Sequence, residues 1–426
     1  MGFLELLKKI KTSQLTLGMH LHKFCAPWLR HPFLRSNFKL VLLKDIDKIQ
    51  LANIDAVIID TSRGTDVLEV IKKPCLSTPK VSEPTGIINV PLEVELKRAV
   101  KVYSQSKSAI KSMFADVRMG KALDIDSAKI MVSEISESVM ANSTALISIA
   151  RLKNANEYTY MHSVAVCALM IASAKELGLN QAQCREAGIA GLLHDIGKVS
   201  IPNVIINKTG PLTEQEVRLI RTHPEKGYSL LKEQYNVSPG VLDVCLHHHE
   251  KIDGSGYPKG LKGDQISTLT KIAAVCDVYD AITSDRPYKA GWKPAEAMKK
   301  MAQWEGHFDP RTFQLFVKVI GIYPIGSFVR LQSGKMGVVY QQNSQSLLNP
   351  QVNIFFCSKR KAQITLETID LSNKEVIDKI ISVENAKEWG IHDSNKYWAG
   401  NLVSCKQIIA KKLNPKNNAL FTKIRL

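Results

Sequence analysis

From about Leu92 to Gly321 apolar residues recur three and four positions apart, as at Ile110, Met113, Phe114 and Val117. Strand-like alternation is not evident in this stretch, so its apolar faces can be buried only by packing helix against helix. Set into it are separated groups of imidazoles and carboxylates: His162, the pair His194-Asp195, His223, the pair His248-His249, and Asp277. Each falls in a predicted helix or at a helix end. Packed helices can each aim a ligand into one shared cavity, and imidazole nitrogen with carboxylate oxygen suits borderline divalent ions such as Fe, Mn, Zn, Ni and Co. A lone histidine is usually an ordinary core or surface residue. Adjacent His-Asp and His-His pairs recurring along one helical domain are hard to attribute to chance, and they imply a metal centre.

Two ions need a shared ligand, and Asp195 is the bridging candidate because its two oxygens can serve both. Ions about 3.5–4 Å apart can clamp a phosphate through attack and departure. That arrangement fits phosphate ester hydrolysis better than acyl transfer, for which no nucleophile signature is visible. Lys198 follows Asp195 by one helical turn; it can offset charge on a phosphate oxygen or pair with Asp195. Arg286 and Lys289 offer a second cationic grip. Tyr257, in the turn-rich loop Asp253-Gly254-Ser255-Gly256-Tyr257-Pro258, offers a hydrogen bond or a stacking face.

Taken in order, His162, His194-Asp195, His223, His248-His249-Glu250, Gly256-Tyr257-Pro258, Asp277 and Gly306-His307-Phe308-Asp309-Pro310 resemble the HD-GYP family over about residues 150–322. The resemblance implies hydrolysis of cyclic di-GMP at a di- or trinuclear metal centre. Carried onto this sequence, it makes His162, His194, Asp195, His223, His248, His249 and Asp277 ligands, and makes Lys198, Arg286 and Lys289 phosphate-binding. His247 falls outside the usual motif and receives no role. Family members with a third metal have a glutamate four residues before the first histidine. Here that place is Tyr158, and Glu157 is one residue early, which turns it about 100° around a helix. The expectation is therefore two divalent ions, Fe or Mn first, with Ni, Co or Zn compatible. The expected main product is linear pGpG, with slow conversion to GMP. Cyclic GMP-AMP hydrolysis and a catalytically silent signalling scaffold are the alternatives, although none of the family's ligands is missing.

The remaining chain fixes the fold class. It is mainly α, a helical HD-type domain preceded by a small α/β domain and followed by a small β-rich module. The expected divisions are an α/β domain at 11–83, linker and helical connector at 84–149, catalytic domain at 150–322, β module at 323–370 and a mixed basic segment at 371–426. Leu40–Leu43 and Ala56–Asp60 are predicted strands, and 125–152 a helical stretch. Leu15–Met19, Trp28, His31-Pro32-Phe33 and Ile59-Asp60-Thr61 resemble a domain often fused ahead of HD-GYP domains, with a regulatory, docking or dimerisation role open to it. With 45% hydrophobic and 23% charged residues the chain is globular. Its net charge of +17 attracts anions, yet no nucleic-acid-binding signature accompanies it. The eight cysteines are scattered, as in a reducing, cytoplasmic setting. No apolar run is long enough to span a membrane. Phe3, Leu6, Leu7 and Ile10 would share one helical face, allowing at most weak peripheral membrane contact.

Overall fold

A strand needs partners on its edges, and the N-terminal residues find them in one another. The computed structural model describes residues 7–24, 37–42, 45–46, 49–50, 54, 56–65, 90–152, 158–234, 236–285, 291–343 and 346–399. They fall into two units, Met1–Thr85 and Gly86–Leu426. In the first, strands β1 (Leu7–Lys11), β2 (His20–Phe24), β3 (Phe38–Lys39) and β4 (Ala56–Asp60) form an antiparallel sheet in the order β1-β4-β2-β3. Ile10, Met19, Leu21, Val57 and Ile59 supply its core.

Two expectations differ from the structure. Leu7 and Ile10 lie on strand β1, not on a helical face: pairing with β4 buries Ile10 and leaves Leu7 exposed. The strand expected at Leu40–Leu43 ends earlier. Leu40 exchanges backbone bonds with Gly18 and Met19, after which Val41 and Leu42 turn out to solvent. Trp28, His31-Pro32-Phe33 and the first residues of the linker expected from 84 lie outside the described residues.

The second unit is built of helices α1 (Leu92–Arg118), α2 (Ile125–Ala141), α3 (Ser143–Ala150), α4 (Tyr158–Glu176), α5 (Gln181–Leu193), α6 (Asn203–Ile206), α7 (Glu214–Ile220), α8 (His223–Lys232), α9 (Pro239–His247), α10 (Thr268–Thr283), α11 (Pro294–Ala302), α12 (Pro310–Ile320) and α13 (Lys396–Ala399). A 3-10 turn, Ile196–Ser200, joins α5 to α6. The stretch expected as helical from 125 to 152 is broken at Asn142, whose backbone is extended and whose Oδ1 accepts from the amides of Thr144 and Ala145, an N-cap.

From Met161 to Ala174 every residue of α4 is buried. A helix apolar on all sides belongs at the centre of a helical body, and α1, α2, α3, α5, α10 and α12 all pack on it. Most of α10 is likewise buried. These two central helices carry His162 and Asp277.

The C-terminal sheet is antiparallel, with order β8-β7-β6-β5-β9 for β5 (Phe328–Leu331), β6 (Lys335–Gln341), β7 (Gln351–Cys357), β8 (Ala362–Asp370) and β9 (Ile380–Val383). Its last strand lies beyond residue 370. Phe328, Met336, Val338 and Phe355 join the helical core, whereas Val329, Val339, Val352 and Ile354 form a second small core. The sheet is therefore fixed to the helical body, and Arg151 donating to the Ile325 carbonyl (3.0 Å) adds a tie. Among the described residues no helix is long and apolar enough to cross a membrane.

Candidate metal centre

Most of the candidate ligands sit where helices start or stop, so the chain can bring several side chains to one point without bending any helix. His194 is the C-cap of α5, and Asp195 precedes the 3-10 turn. His223 opens α8, His248 caps α9 with His249 next, and His162 and Asp277 project from α4 and α10. The structure gathers all seven. His162, His194 and Asp277 form one group, His223, His248 and His249 another, and His194, Asp195 and His248 overlap both, each with donor atoms within 4.8 Å of one another.

Hydrogen bonding fixes which ring nitrogens face the cavity. Nδ1 of His194 donates to the Gly191 carbonyl (2.8 Å), Nδ1 of His223 to Ile220 (2.8 Å), and Nδ1 of His248 to Val244 and Cys245 (3.1 Å each). A carbonyl can only accept, so Nδ1 carries a proton in each ring, and in the neutral ring the inward Nε2 presents a lone pair. The Nε2 atoms of His223 and His248 face each other at 3.2 Å. Burial, then the neighbouring His249, His194 and His223, hold His248 well below the ordinary histidine range, so its own Nε2 faces His223 without a proton.

Asp195 is fully enclosed. Its Oδ2 looks toward His194 Nε2 (3.3 Å), His162 Nε2 (3.8 Å) and the Lys198 ammonium (2.5 Å). Its Oδ1 looks toward His223 Nε2 (3.2 Å) and His248 Nε2 (3.9 Å). Burial alone would raise its pKa, but Lys198 and His194 outweigh burial and keep it well below the carboxylate range. Asp195 Oδ1 and His194 Nε2 are buried and, among the described residues, make no aligned hydrogen bond. Converging lone pairs and an orphaned carboxylate oxygen are costly unless a cation lies among them. Donors about 2.0–2.2 Å from a common ion stand roughly 3 Å apart, close to the 2.9–3.3 Å found for His162–Asp277, His223–Asp195 and His194–Asp195. The residues fit divalent metal, with one Asp195 oxygen toward each group.

His162 is held differently. Its Nδ1 donates to Asp280 (2.7 Å), and its Nε2 faces Asp277 (2.9 Å). Burial opposes its charge, yet the two carboxylates raise its pKa. In turn, hydrogen bonding to His162 more than offsets the burial of Asp277, whose pKa falls far below the usual value. A proton on His162 Nε2 would compete with a metal ion for the same place.

Tyr257 stacks on His249 at 4.7 Å between ring centroids and lies 5.1 Å from the Arg221 guanidinium. Burial is the main reason its hydroxyl is shifted above the ordinary tyrosine value. Its loop is closed by Glu250, a buried carboxylate that accepts from the amides of Lys259 (2.7 Å), Gly260 (3.1 Å) and Leu261 (3.1 Å). Gly256 lets the loop lie on that closure: a Cβ there would sit 2.5 Å from the Cα of Glu250. Arg286, Lys289 and Glu157 lie outside the described residues.

Sequence reasoning missed Asp280, Glu250 as a loop clamp, Arg221 and the pairing of His247. Asp277 and Asp280 stand three apart on a predicted helix, which was a usable signal. His247 has an architectural partner: its Nδ1 donates to Asp243 (2.8 Å), which also accepts from Ser267 (2.5 Å) and Thr270 (2.8 Å) at the start of α10.

A helical body that holds a His-Asp pair at a helix end, and completes the cluster from surrounding helices, defines the HD class of metal-dependent hydrolase. Residues 144–312 match the HD domain family, and residues 7–128 match a domain of unknown function, DUF3391. Over 398 residues the chain is 48% identical to the cyclic di-GMP phosphodiesterase PA4108 of Pseudomonas aeruginosa, covering 93% of this chain and 96% of that one. It is 43% identical over 141 residues to the cyclic di-GMP phosphodiesterase response regulator RpfG of Xanthomonas campestris, 32% of this chain and 37% of that protein. It is 34% identical over 184 residues to the 3'3'-cGAMP-specific phosphodiesterase 1 of Vibrio cholerae, 43% and 42% respectively. This chain belongs to the HD-GYP family of HD-domain phosphodiesterases.

Proposed function

We propose that this chain hydrolyses cyclic di-GMP to linear pGpG, using two divalent cations, Fe or Mn, held by His162, His194, Asp195, His223, His248, His249 and Asp277. The observation that carries the reading is the buried Asp195 carboxylate facing a separate imidazole group with each oxygen. Near full-length similarity to PA4108 supports the substrate.

When bound, the ions would supply an activated water and neutralise phosphate charge. The protein's share is placement. Asp195 keeps the two ligand groups in register, and Asp280 and the backbone carbonyls fix the ring tautomers. Water adds to phosphorus, one ester oxygen leaves with a proton, and a linear dinucleotide bearing a terminal phosphate results. Lys198, against Asp195, can turn its ammonium to a phosphoryl oxygen. Tyr257, stacked on His249, presents a flat face and a hydroxyl to a guanine base. Arg286 and Lys289 are assigned to the second phosphate.

The test is reconstitution of purified protein with Fe or Mn under anaerobic conditions, followed by chromatography of products from cyclic di-GMP and 3'3'-cGAMP. Cyclic di-GMP should be consumed faster, with pGpG accumulating first, and the double variant His194→Ala/Asp195→Ala should be inactive and metal-poor. Full turnover by that variant, or a clear preference for 3'3'-cGAMP, overturns the proposal.

A further inference from the structure

The turn Ile196–Ser200, which carries Lys198 and directly follows Asp195, is held from two sides. On its inner side Gly197 lies against α8. A Cβ there would meet the His223 carbonyl oxygen at 1.9 Å and the Gly227 nitrogen at 2.5 Å, so the two backbones touch. On its outer side stands the last turn of α1. Arg118 donates from Nη2 to the carbonyl of Lys198 (3.2 Å) and from Nη1 to Oδ1 of Asn203, the first residue of α6. That same carbonyl accepts the Ile201 amide (3.1 Å), which closes the turn. The guanidinium fork therefore spans the junction between the turn and the next helix, a geometry that one ammonium cannot reproduce.

Arg118 lies outside residues 144–312, the stretch matched by the HD domain, and inside residues 7–128, the stretch matched by DUF3391. Yet α1 packs in the core of the catalytic unit through Leu96, Val102, Ile110 and Phe114. At 1.5 Å per residue the helix is about 40 Å long, and it begins shortly after the division between the two units. We infer that Arg118 is a positioning residue for the Asp195–Lys198 turn, supplied to the catalytic domain by a helix that belongs in sequence to the N-terminal family. Without the fork, the Lys198 carbonyl keeps only its local bond, the turn loosens, and the ammonium beside Asp195 samples more positions.

The kinetic arm of the test rests on the proposed phosphodiesterase reading; the exchange arm does not. Arg118→Ala should lower kcat on cyclic di-GMP about three- to tenfold, the worth of one or two modest hydrogen bonds, with KM changed less than twofold. Arg118→Lys should recover part of the loss. In a Lys198→Ala background the same Arg118→Ala change should cost almost nothing, because its effect passes through Lys198. Hydrogen–deuterium exchange should quicken in the peptide covering Gly197–Ile201 and not in α4. An equal loss in both backgrounds, or unchanged exchange in that peptide, overturns the inference and makes Arg118 a general surface staple. If wild-type protein turns over no cyclic dinucleotide, the functional proposal fails, and exchange still decides the role of Arg118.

Discussion

At the scale of single residues, the centre is governed by where protons cannot go. Asp280 holds Nδ1 of His162 and so aims Nε2 at the cavity; removing such an outer carboxylate commonly weakens metal binding by about 10- to 100-fold. Asp280→Ala should therefore lose metal at a chelator concentration that wild type withstands, as read by elemental analysis after dialysis. Metal uptake must also displace the proton that Asp277 and Asp280 favour on His162, whose pKa is raised above its ordinary 6.5. Affinity should accordingly be lowest below that raised pKa and climb as pH rises through it, with protons released. Calorimetry in buffers of different ionisation enthalpy would detect the release, and pH-independent affinity would refute the competition. Arg221, beside Tyr257 at the edge of the centre, is expected to grip substrate. Arg221→Ala should raise KM several-fold with little change in kcat, and steady-state kinetics with the opposite split would assign it elsewhere.

At the scale of elements, the placement of the candidate ligands depends on how helices are clasped. Asp243 on α9 accepts from His247 and from Ser267, the N-cap of α10, so one carboxylate ties the helix ending at His248 to the helix carrying Asp277. Burial would raise its pKa, but the His247, Ser267 and Thr270 hydrogen bonds lower it from 3.8 to about 2. A carboxylate with a depressed folded pKa stabilises the fold above its unfolded pKa, and the contribution is lost as pH falls from about 4 toward 2. Allowing for partial exposure, the clasp contributes about 1–2 kcal/mol. Asp243→Asn should lower the urea midpoint at pH 6, and the gap from wild type should shrink near pH 2–3. A gap independent of pH would show that charge is not what the clasp uses. The helices themselves were largely legible in the sequence, since apolar residues three and four apart have no other way to be buried. The break at Asn142 was not, because a capping asparagine in a long apolar pattern reads as one more polar position.

At the scale of the molecule, metal and fold should stabilise each other. The donors come from helices α4, α5, α8, α9 and α10 and from the turn after α5, so an ion that binds only the assembled cluster favours the folded state. Manganese at about 100 times its Kd should stabilise the unit by about 2.7 kcal/mol and raise Tm by on the order of 2–4 °C, a shift that a chelator reverses and His194→Ala abolishes in differential scanning fluorimetry. The sequence by itself determined the helical class of the central domain, the seven candidate His and Asp residues that the fold gathers and the family, because ligand chemistry and helical period are local properties written in residue types and spacings. It misread the first strand, since Leu7 and Ile10 suit a helix face or an edge strand until β4 pairs with both and the pleat buries only Ile10. Only the tertiary structure decided which oxygen of Asp195 faces which imidazoles, that His247 serves the α9–α10 clasp, and that Arg118 reaches Lys198 across the chain. Those are relations between atoms distant in sequence, fixed when close packing leaves each buried polar group only the partners that the fold brings to it.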